Sequence, residues 1–181
     1  MSTEYLTDKA SKLLNRCRTR DPFEIAERIG IRIMFVDGLT ELKGAYKIIK
    51  RNRWIFINSN LDDNTQKIIC AHELGHDQLH RSIAKSGTLI EYMLYNTAQA
   101  HEYEANLFAA EILISDDDIT ELVNDYQYSA EQIAMYLRTD INLISLKCFL
   151  MTQKGYDLKG IDYQSDFLKR TLHFPKNTFT K

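Results

Sequence analysis

The stretch Ala71-His-Glu-Leu-Gly-His-Asp-Gln-Leu-His80 decides how this 181-residue chain is interpreted. It lies in a segment with apolar residues at helical spacing, which predicts a long helix over residues 61–80. Four residues span about 400° of an α-helix, so His72 and His76 lie on one face, one turn apart. Two imidazoles placed in this way can bind one zinc ion. The stretch therefore predicts a helix that carries two metal ligands.

Glu73 completes a His-Glu-x-x-His sequence. It lies about 100° around the helix from His72, so its carboxylate can reach a water molecule at the ion. A zinc ion lowers the pKa of such a water, and a carboxylate can take up the proton as hydroxide attacks a carbonyl carbon. This residue pattern is a known signature of metalloproteases. We therefore expect Glu73 to be the catalytic carboxylate.

A catalytic zinc site needs a third protein ligand, and the candidates are His80, His101, Glu102 and Glu104. His80 lies on the same helix as His72, about 12 Å along its axis, and three ligands in a row close poorly around a tetrahedral ion. A second helix that begins near residue 100 and crosses the first would solve this geometry. We expect Glu102 to be the ligand from that helix. Glu104 points about 200° away from it, and Glu104 and His101 stay open as alternatives.

Supporting residues can also be predicted around these ligands. Asn106 is four residues after Glu102 and shares its helix face, so its amide can hydrogen-bond a ligating histidine. We expect His80 to occupy a similar supporting position. A donor that stabilises the tetrahedral oxyanion is usual in a zinc peptidase. The candidates for this donor, among which the sequence does not choose, are Tyr92, Tyr95, Tyr103, Tyr126 and His101.

These motifs resemble the ImmA/IrrE metallopeptidase family. In that family, a zinc-binding helix such as the one at 71–80 precedes a Glu-x-x-Ala-[Asn/Asp/Ser]-x-Phe-Ala helix, which matches the sequence that begins at Glu102. The resemblance covers about residues 20–150 and implies that His72, His76 and Glu102 bind zinc while Glu73 acts in catalysis. Members typically are site-specific proteases that inactivate repressors of mobile elements or stress responses. The repressor is often encoded beside them.

The rest of the chain predicts a mostly helical α+β fold of the gluzincin type. The strand-forming segments are short, and Arg51-Asn52-Arg53 reads as a polar turn, so we expect a small three-stranded antiparallel sheet. We expect a peptidase body over residues 1–127 and a helical C-terminal part over 128–181, which is a candidate for substrate docking. Strands are predicted at 31–36, 45–49 and 54–57, and helices at 4–20, 22–29, 61–80, 100–114, 116–124, 129–137 and 142–154.

Composition limits the classes of function. The 23 basic and 25 acidic side chains nearly cancel, so a broad nucleic-acid-binding surface is not expected. No apolar run is long enough to cross a bilayer, and no secretory signal is visible at the N-terminus. Cys17, Cys70 and Cys148 are widely spaced, which is typical of a reducing compartment. We therefore expect a cytoplasmic protein that binds neither membranes nor nucleic acid directly.

The sequence as a whole favours a zinc-dependent, site-specific endopeptidase. The resemblance alone indicates a helix-turn-helix repressor as the substrate. Imidazole and carboxylate ligands also suit other divalent ions. Two other functions stay open: a module that sequesters a repressor without cutting it, and a DNA-binding regulator that uses residues 129–154. The intact His-Glu-x-x-His sequence disfavours the first, and a shortage of basic residues disfavours the second.

Overall fold

The computed structural model describes residues 1–39, 42–82, 100–158 and 161. Within these ranges the chain is mostly helical with one small sheet, which confirms the predicted α+β class. No helix in the described ranges has both the length and the apolar character needed to cross a bilayer. The elements are α1 (Thr3–Cys17), α2 (Pro22–Arg28), β1 (Arg32–Val36), β2 (Gly44–Ile49), β3 (Asn52–Asn58), α3 (Asp63–Leu79), α4 (Ala100–Leu113), α5 (Asp116–Asn124), α6 (Ala130–Tyr136) and α7 (Ile141–Gln153).

Side-chain caps define several helix starts close to where the sequence predicts them. Asp21 accepts hydrogen bonds from the first backbone amides of α2, and Asp62 does the same for α3. Ser129 and Gln132 form a reciprocal capping box at the start of α6. Each cap satisfies amides that have no partner inside the helix. The short polar sequences between helices therefore set the helix boundaries.

The sheet differs from the expected antiparallel arrangement in one pairing. Its strand order is β1-β3-β2, with β1 parallel to β3 and β2 antiparallel to β3. The chain leaves β1, forms β2 at the far edge, and returns as the central strand. The turn between β2 and β3 is Lys50-Arg51, with φ of 48° and 66°, so β3 already begins at Asn52. A strand-forming pattern in the sequence identifies a strand, but it does not show which other strand will lie beside it in the sheet.

Helices α3 and α4 cross at a very close contact between Gly75 and Ala105. A Cβ atom added to Gly75 would lie 2.9 Å from the Cα atom of Ala105 and 3.1 Å from its carbonyl oxygen. Both of those atoms belong to backbone, which cannot rotate away. Only glycine therefore fits at this crossing. The contact fixes the separation of the two helices that carry the predicted ligands.

An ion cluster around the buried Lys147 attaches α7 to α4 and α5. The ammonium of Lys147, a residue with 0% exposure, lies 2.8 Å from Glu111 Oε2 and 2.5 Å from Asp116 Oδ1. Lys154 contacts the second oxygen of each carboxylate, at 2.5 Å and 3.0 Å. Two cations thus balance two anions. Lys147 is not available to contact phosphate, which supports a packing role for this part of the chain rather than DNA binding.

The predicted boundary at residue 127 stays a prediction. Residues from both sides of it contribute to one hydrophobic core, with Phe108 on α4 and Leu143 on α7 both fully buried. Part of the predicted C-terminal region, beyond residue 161, lies outside the described residues. In the described ranges, α6 and α7 belong to the same packed unit as the helices that carry the predicted ligands.

We predict that Lys147→Met destabilises the protein by about 3–5 kcal/mol. The substitution keeps most of the side-chain volume but leaves two carboxylates with one cation. Urea unfolding monitored by circular dichroism measures the change. The control is Lys12→Ala, which breaks the exposed pair with Asp8 and is expected to change the unfolding free energy by less than about 0.5 kcal/mol. Equal effects of the two substitutions would contradict a stabilising role of the buried cluster.

We also predict that Gly75→Ala lowers the unfolding free energy by about 1–3 kcal/mol, because the new methyl group overlaps the backbone of Ala105. Intrinsic helix propensity alone would favour alanine by about 1 kcal/mol. The sign of the change in unfolding free energy therefore shows which of the two effects is larger. Urea unfolding measures it. Asn64→Ala, at an exposed position of the same helix, is the control. A Gly75→Ala variant as stable as the parent would show that the helices can separate freely.

Candidate metal centre

Helices α3 and α4 bring three buried side chains to one point. The Nε2 atoms of His72 and His76 are 3.1 Å apart. Glu102 Oε2 lies 3.2 Å from His72 Nε2, and its Oε1 lies 3.4 Å from His76 Nε2. Within the described residues, these three side chains form the group whose potential ligand atoms lie close enough together to share one ion. These are the two histidines and the third residue that the sequence analysis expects as ligands, with His101 and Glu104 as its alternatives for the third.

The spacing and the lack of other partners fit a divalent cation. A tetrahedral zinc ion with bonds of 2.0–2.1 Å holds its ligand atoms about 3.3 Å apart, close to the three distances above. Glu102 is only 1% exposed, yet neither of its oxygens makes a hydrogen bond of good geometry within the described residues. A buried carboxylate without partners is costly. An ion held by His72, His76 and Glu102 would satisfy both oxygens.

Asn106 orients the first histidine. His72 Nδ1 lies 2.9 Å from Asn106 Oδ1. An amide oxygen only accepts hydrogen bonds, so the hydrogen-bond network assigns the proton to His72 Nδ1. The lone pair of His72 Nε2 then faces Glu102 and His76. Asn106 thus lies where the sequence predicts a supporting residue.

His80 and Glu104 orient the second histidine in the same way. His80 Nε2 donates to Glu104 Oε2 at 2.8 Å, so a neutral His80 can only accept at Nδ1. That Nδ1 is 3.2 Å from His76 Nδ1, which therefore donates. Both predicted ligand histidines thus direct a lone pair at the same point. Two lone pairs 3.1 Å apart repel each other unless a cation lies between them. Glu104, which the sequence leaves open as an alternative ligand, contacts His80 instead.

Glu73 lies beside this group and contacts β2. The backbone N–H of Tyr46 donates to its carboxylate. A Cβ atom on Gly44 would lie 3.4 Å from Glu73 Oε1 and would overlap Ile69, so glycine keeps this space clear. Burial raises the pKa of Glu73 to about 7. A carboxyl group that titrates near neutral pH is suited to proton transfer.

The electrostatics of Glu102 differ from those of Glu73. Burial alone would raise the pKa of Glu102, but the imidazoles of His72 and His76, when no metal is bound and they carry a proton at Nε2, outweigh burial and lower this pKa to about 2. Burial lowers the pKa of His76 to about 4. Glu102 is therefore an anion and His76 a neutral imidazole near pH 7, which are the states that metal ligands need.

A second polar group that the sequence analysis did not identify supports β2 against α3. The hydroxyl of Tyr46 donates to Asp77 Oδ1 at 2.6 Å, and Asp77 is fully buried. Arg53 and Arg81 neutralise this carboxylate at 3.0 Å and 2.7 Å. Tyr46 is therefore fixed at both ends, with its backbone on Glu73 and its ring on Asp77. The feature of the sequence that points to this contact is an acidic residue directly after His76, on a buried helix.

The oxyanion donor stays open. His101 is the described candidate nearest to the centre, with Nε2 at 3.5 Å from Glu102 Oε1 and its side chain 24% exposed. The hydroxyl of Tyr103 is buried without a described hydrogen-bond partner, and Tyr126 is exposed. Two further candidates lie outside the described residues, Tyr92 and Tyr95.

Comparisons with known proteins agree on one family. The family model for the IrrE N-terminal-like domain, peptidase M78, matches residues 26–148. A protein of Bacillus phage phi105 named uncharacterized immunity region protein 2 is 35% identical over 136 residues, which cover 75% of this chain and 84% of that protein. The metallopeptidase ImmA of Bacillus subtilis strain 168 is 28% identical over 158 residues, which cover 82% of this chain and 89% of that protein.

The matched range of the family model contains both helices of the metal centre and the whole sheet. It covers well over half of the chain. The family resemblance inferred from the two sequence motifs is thereby confirmed. The chain belongs to the IrrE N-terminal-like (M78) family of metallopeptidases.

Proposed function

We propose that this chain is a zinc-dependent endopeptidase that cleaves a protein substrate at a specific site. The observation that carries the proposal is the convergence of two imidazole lone pairs and one unpartnered carboxylate in a buried position. Two histidines and a glutamate form a ligand set of catalytic zinc sites in peptidases. Family membership supports the same chemistry.

In this proposal, His72, His76 and Glu102 hold the ion. When bound, zinc supplies Lewis acidity, which polarises the scissile carbonyl and lowers the pKa of the attacking water. Glu73 takes up a proton from that water at its carboxylate and later delivers it to the leaving amine. The backbone N–H of Tyr46 holds the Glu73 carboxylate in place through both transfers.

The substrate is proposed to bind in an extended conformation along β2. The N–H of Asn58 donates to the carbonyl of Lys43 at 2.9 Å, so the alternation of an antiparallel pair turns the backbone groups of Gly44, Tyr46 and Ile48 away from β3. Since the N–H of Tyr46 reaches Glu73, this edge lies beside the catalytic carboxylate. A peptide strand added there would pair with the outward groups of Gly44 and Ile48 and present its own backbone to Glu73.

A helix-turn-helix repressor is the proposed substrate. One relative carries the name of a phage immunity region, and another is named the metallopeptidase ImmA, which supports a role in control of a mobile element. The C-terminal helices α6 and α7 are a candidate docking surface for it. We also propose a cytoplasmic location, because Cys17, Cys70 and Cys148 are all free and buried.

We predict that Glu73→Gln lowers the rate of repressor cleavage by about 10²–10⁴-fold while zinc stays bound, because the amide cannot accept the proton. The assay mixes the purified chain with the repressor encoded beside it and follows fragments by gel electrophoresis and intact mass. Metal content is measured by elemental analysis. Glu27→Gln, at an exposed position of α2, is the control and is expected to cleave like the parent.

The outcomes of this assay separate the alternatives. Full cleavage by Glu73→Gln would contradict the proposed mechanism. A parent protein that forms a stable complex with the intact repressor and yields no fragments would instead support the non-cleaving binding module. Repressor fragments that appear only with zinc-loaded parent protein would support the peptidase.

We further predict that Asn106→Ala weakens zinc binding by about 10–100-fold, because His72 loses the acceptor that orients it. His80→Phe is expected to act similarly on His76. Competition with a chromophoric chelator measures the affinity. Asn124→Ala, at the exposed end of α5, is the control. Unchanged affinity in both variants would show that these contacts do not position the ligands.

A further inference from the structure

A basic hollow lies between α1 and the C-terminal end of α3, apart from the metal centre. We define the basic hollow by Lys9 and Arg16 of α1, Arg53 of β3, Arg81, and the carboxylate of Asp77 on its floor. Its volume is about 460 Å³. That size lies in the range of small-molecule sites. The sequence gives no sign of it, because its residues come from three separate elements.

The arginines of β3 and of the segment just after α3 are both hydrogen-bonded in place. Arg53 donates to Asp77 through Nη1 and to the carbonyl of Ile29 through Nη2. Arg81 donates to Asp77 Oδ2 at 2.7 Å and to the Asp77 carbonyl through Nε. Tyr46 and Gln78 also donate to the same carboxylate. Asp77 thus accepts several hydrogen bonds, and both guanidinium groups are oriented by it before any ligand arrives.

The hollow carries an excess of positive charge. Four cationic side chains face one carboxylate, which leaves a formal charge of +3 in a chain whose net charge is −2. Lys9 and Arg16 lie on one face of α1, seven residues apart, and neither forms an ion pair with a carboxylate within the described residues. Lys9 instead lies 5.5 Å from the ring centre of Tyr5. Bringing unpaired like charges together is unfavourable unless an anion joins them.

We propose that the basic hollow binds a small, multiply charged anion of the phosphate class. Guanidinium groups match phosphate oxygens in paired hydrogen bonds, and two of them are already fixed at the rim. A singly charged carboxylate would leave most of the excess charge unbalanced. The charge, the volume and the fixed donors therefore favour a phosphate or diphosphate group.

This inference does not depend on the proposed peptidase activity. It does place the anion next to the support of the metal centre, because Asp77 directly follows His76 and anchors Tyr46. An anion in the basic hollow would contact the same two arginines that neutralise Asp77. Binding there would thus stabilise the packing of α1 and β3 against the end of α3.

The test is a calorimetric titration of the full-length chain with inorganic diphosphate at low salt. Because diphosphate also binds zinc ions, the titration is run with and without added zinc, and the zinc-free arm isolates the basic hollow. We expect one saturable site in the zinc-free arm, and the same site to persist when zinc is added. Combining Lys9→Ala with Arg16→Ala should weaken the affinity by at least about tenfold, since two charged contacts are lost.

A charge-matched control combines Lys12→Ala with Lys67→Ala, two exposed lysines that lie outside the hollow. It should bind diphosphate like the parent. If both double variants bind diphosphate equally more weakly than the parent, the binding reflects general charge attraction, and the proposal is overturned. The absence of saturable binding up to about 10 mM, or saturable binding only with zinc added, would also overturn it. Circular dichroism confirms that each variant is folded.

Discussion

The backbone contact between Gly75 and Ala105 is the constraint on which the candidate metal centre depends. It sets the separation of α3 and α4, and the ligand atoms reach across that separation with little freedom. His72 and His76 come from one helix and Glu102 from the other, so a small shift of either helix changes every distance between them. Sites of this kind tolerate errors of only about 0.5 Å. Because residue 75 is glycine, the two helices can approach closely, and this approach matters as much for the geometry of the site as the ligands themselves.

The same group of side chains lowers the stability of the fold. Glu102 is buried without a described hydrogen-bond partner, and two imidazole lone pairs face each other beside it. Such groups cost several kcal/mol unless something satisfies them. The chain offsets this cost with a continuous apolar core and with the balanced cluster around Lys147. A cation bound by the three side chains would remove this cost, so we expect metal binding and folding to be coupled, as they are in other sites that exist only in the native state.

The sequence predicts the local features of this protein well, because they follow from helical periodicity and cap residues. The helices and the shared face of His72 and His76 follow from spacing, whereas the choice of Glu102 over His101 and Glu104 also needed the family resemblance. Sheet order, the Lys50-Arg51 turn, and the link from Glu104 to the second histidine do not follow from spacing, since they join residues whose contact depends on tertiary packing. The Tyr46–Asp77 hydrogen bond belongs to the same class: one partner lies on a strand and the other on a helix.

The division of the ligand set between two helices also has a consequence for biogenesis. His72 and His76 leave the ribosome well before Glu102, which follows 26 residues after the second histidine. A nascent chain thus offers only an incomplete pair of nitrogens, and the carboxylate joins them once α4 has emerged and docked. For the proposed centre, we therefore expect cofactor loading to be a late step of maturation, because translation intermediates that stop before residue 102 lack the third proposed ligand.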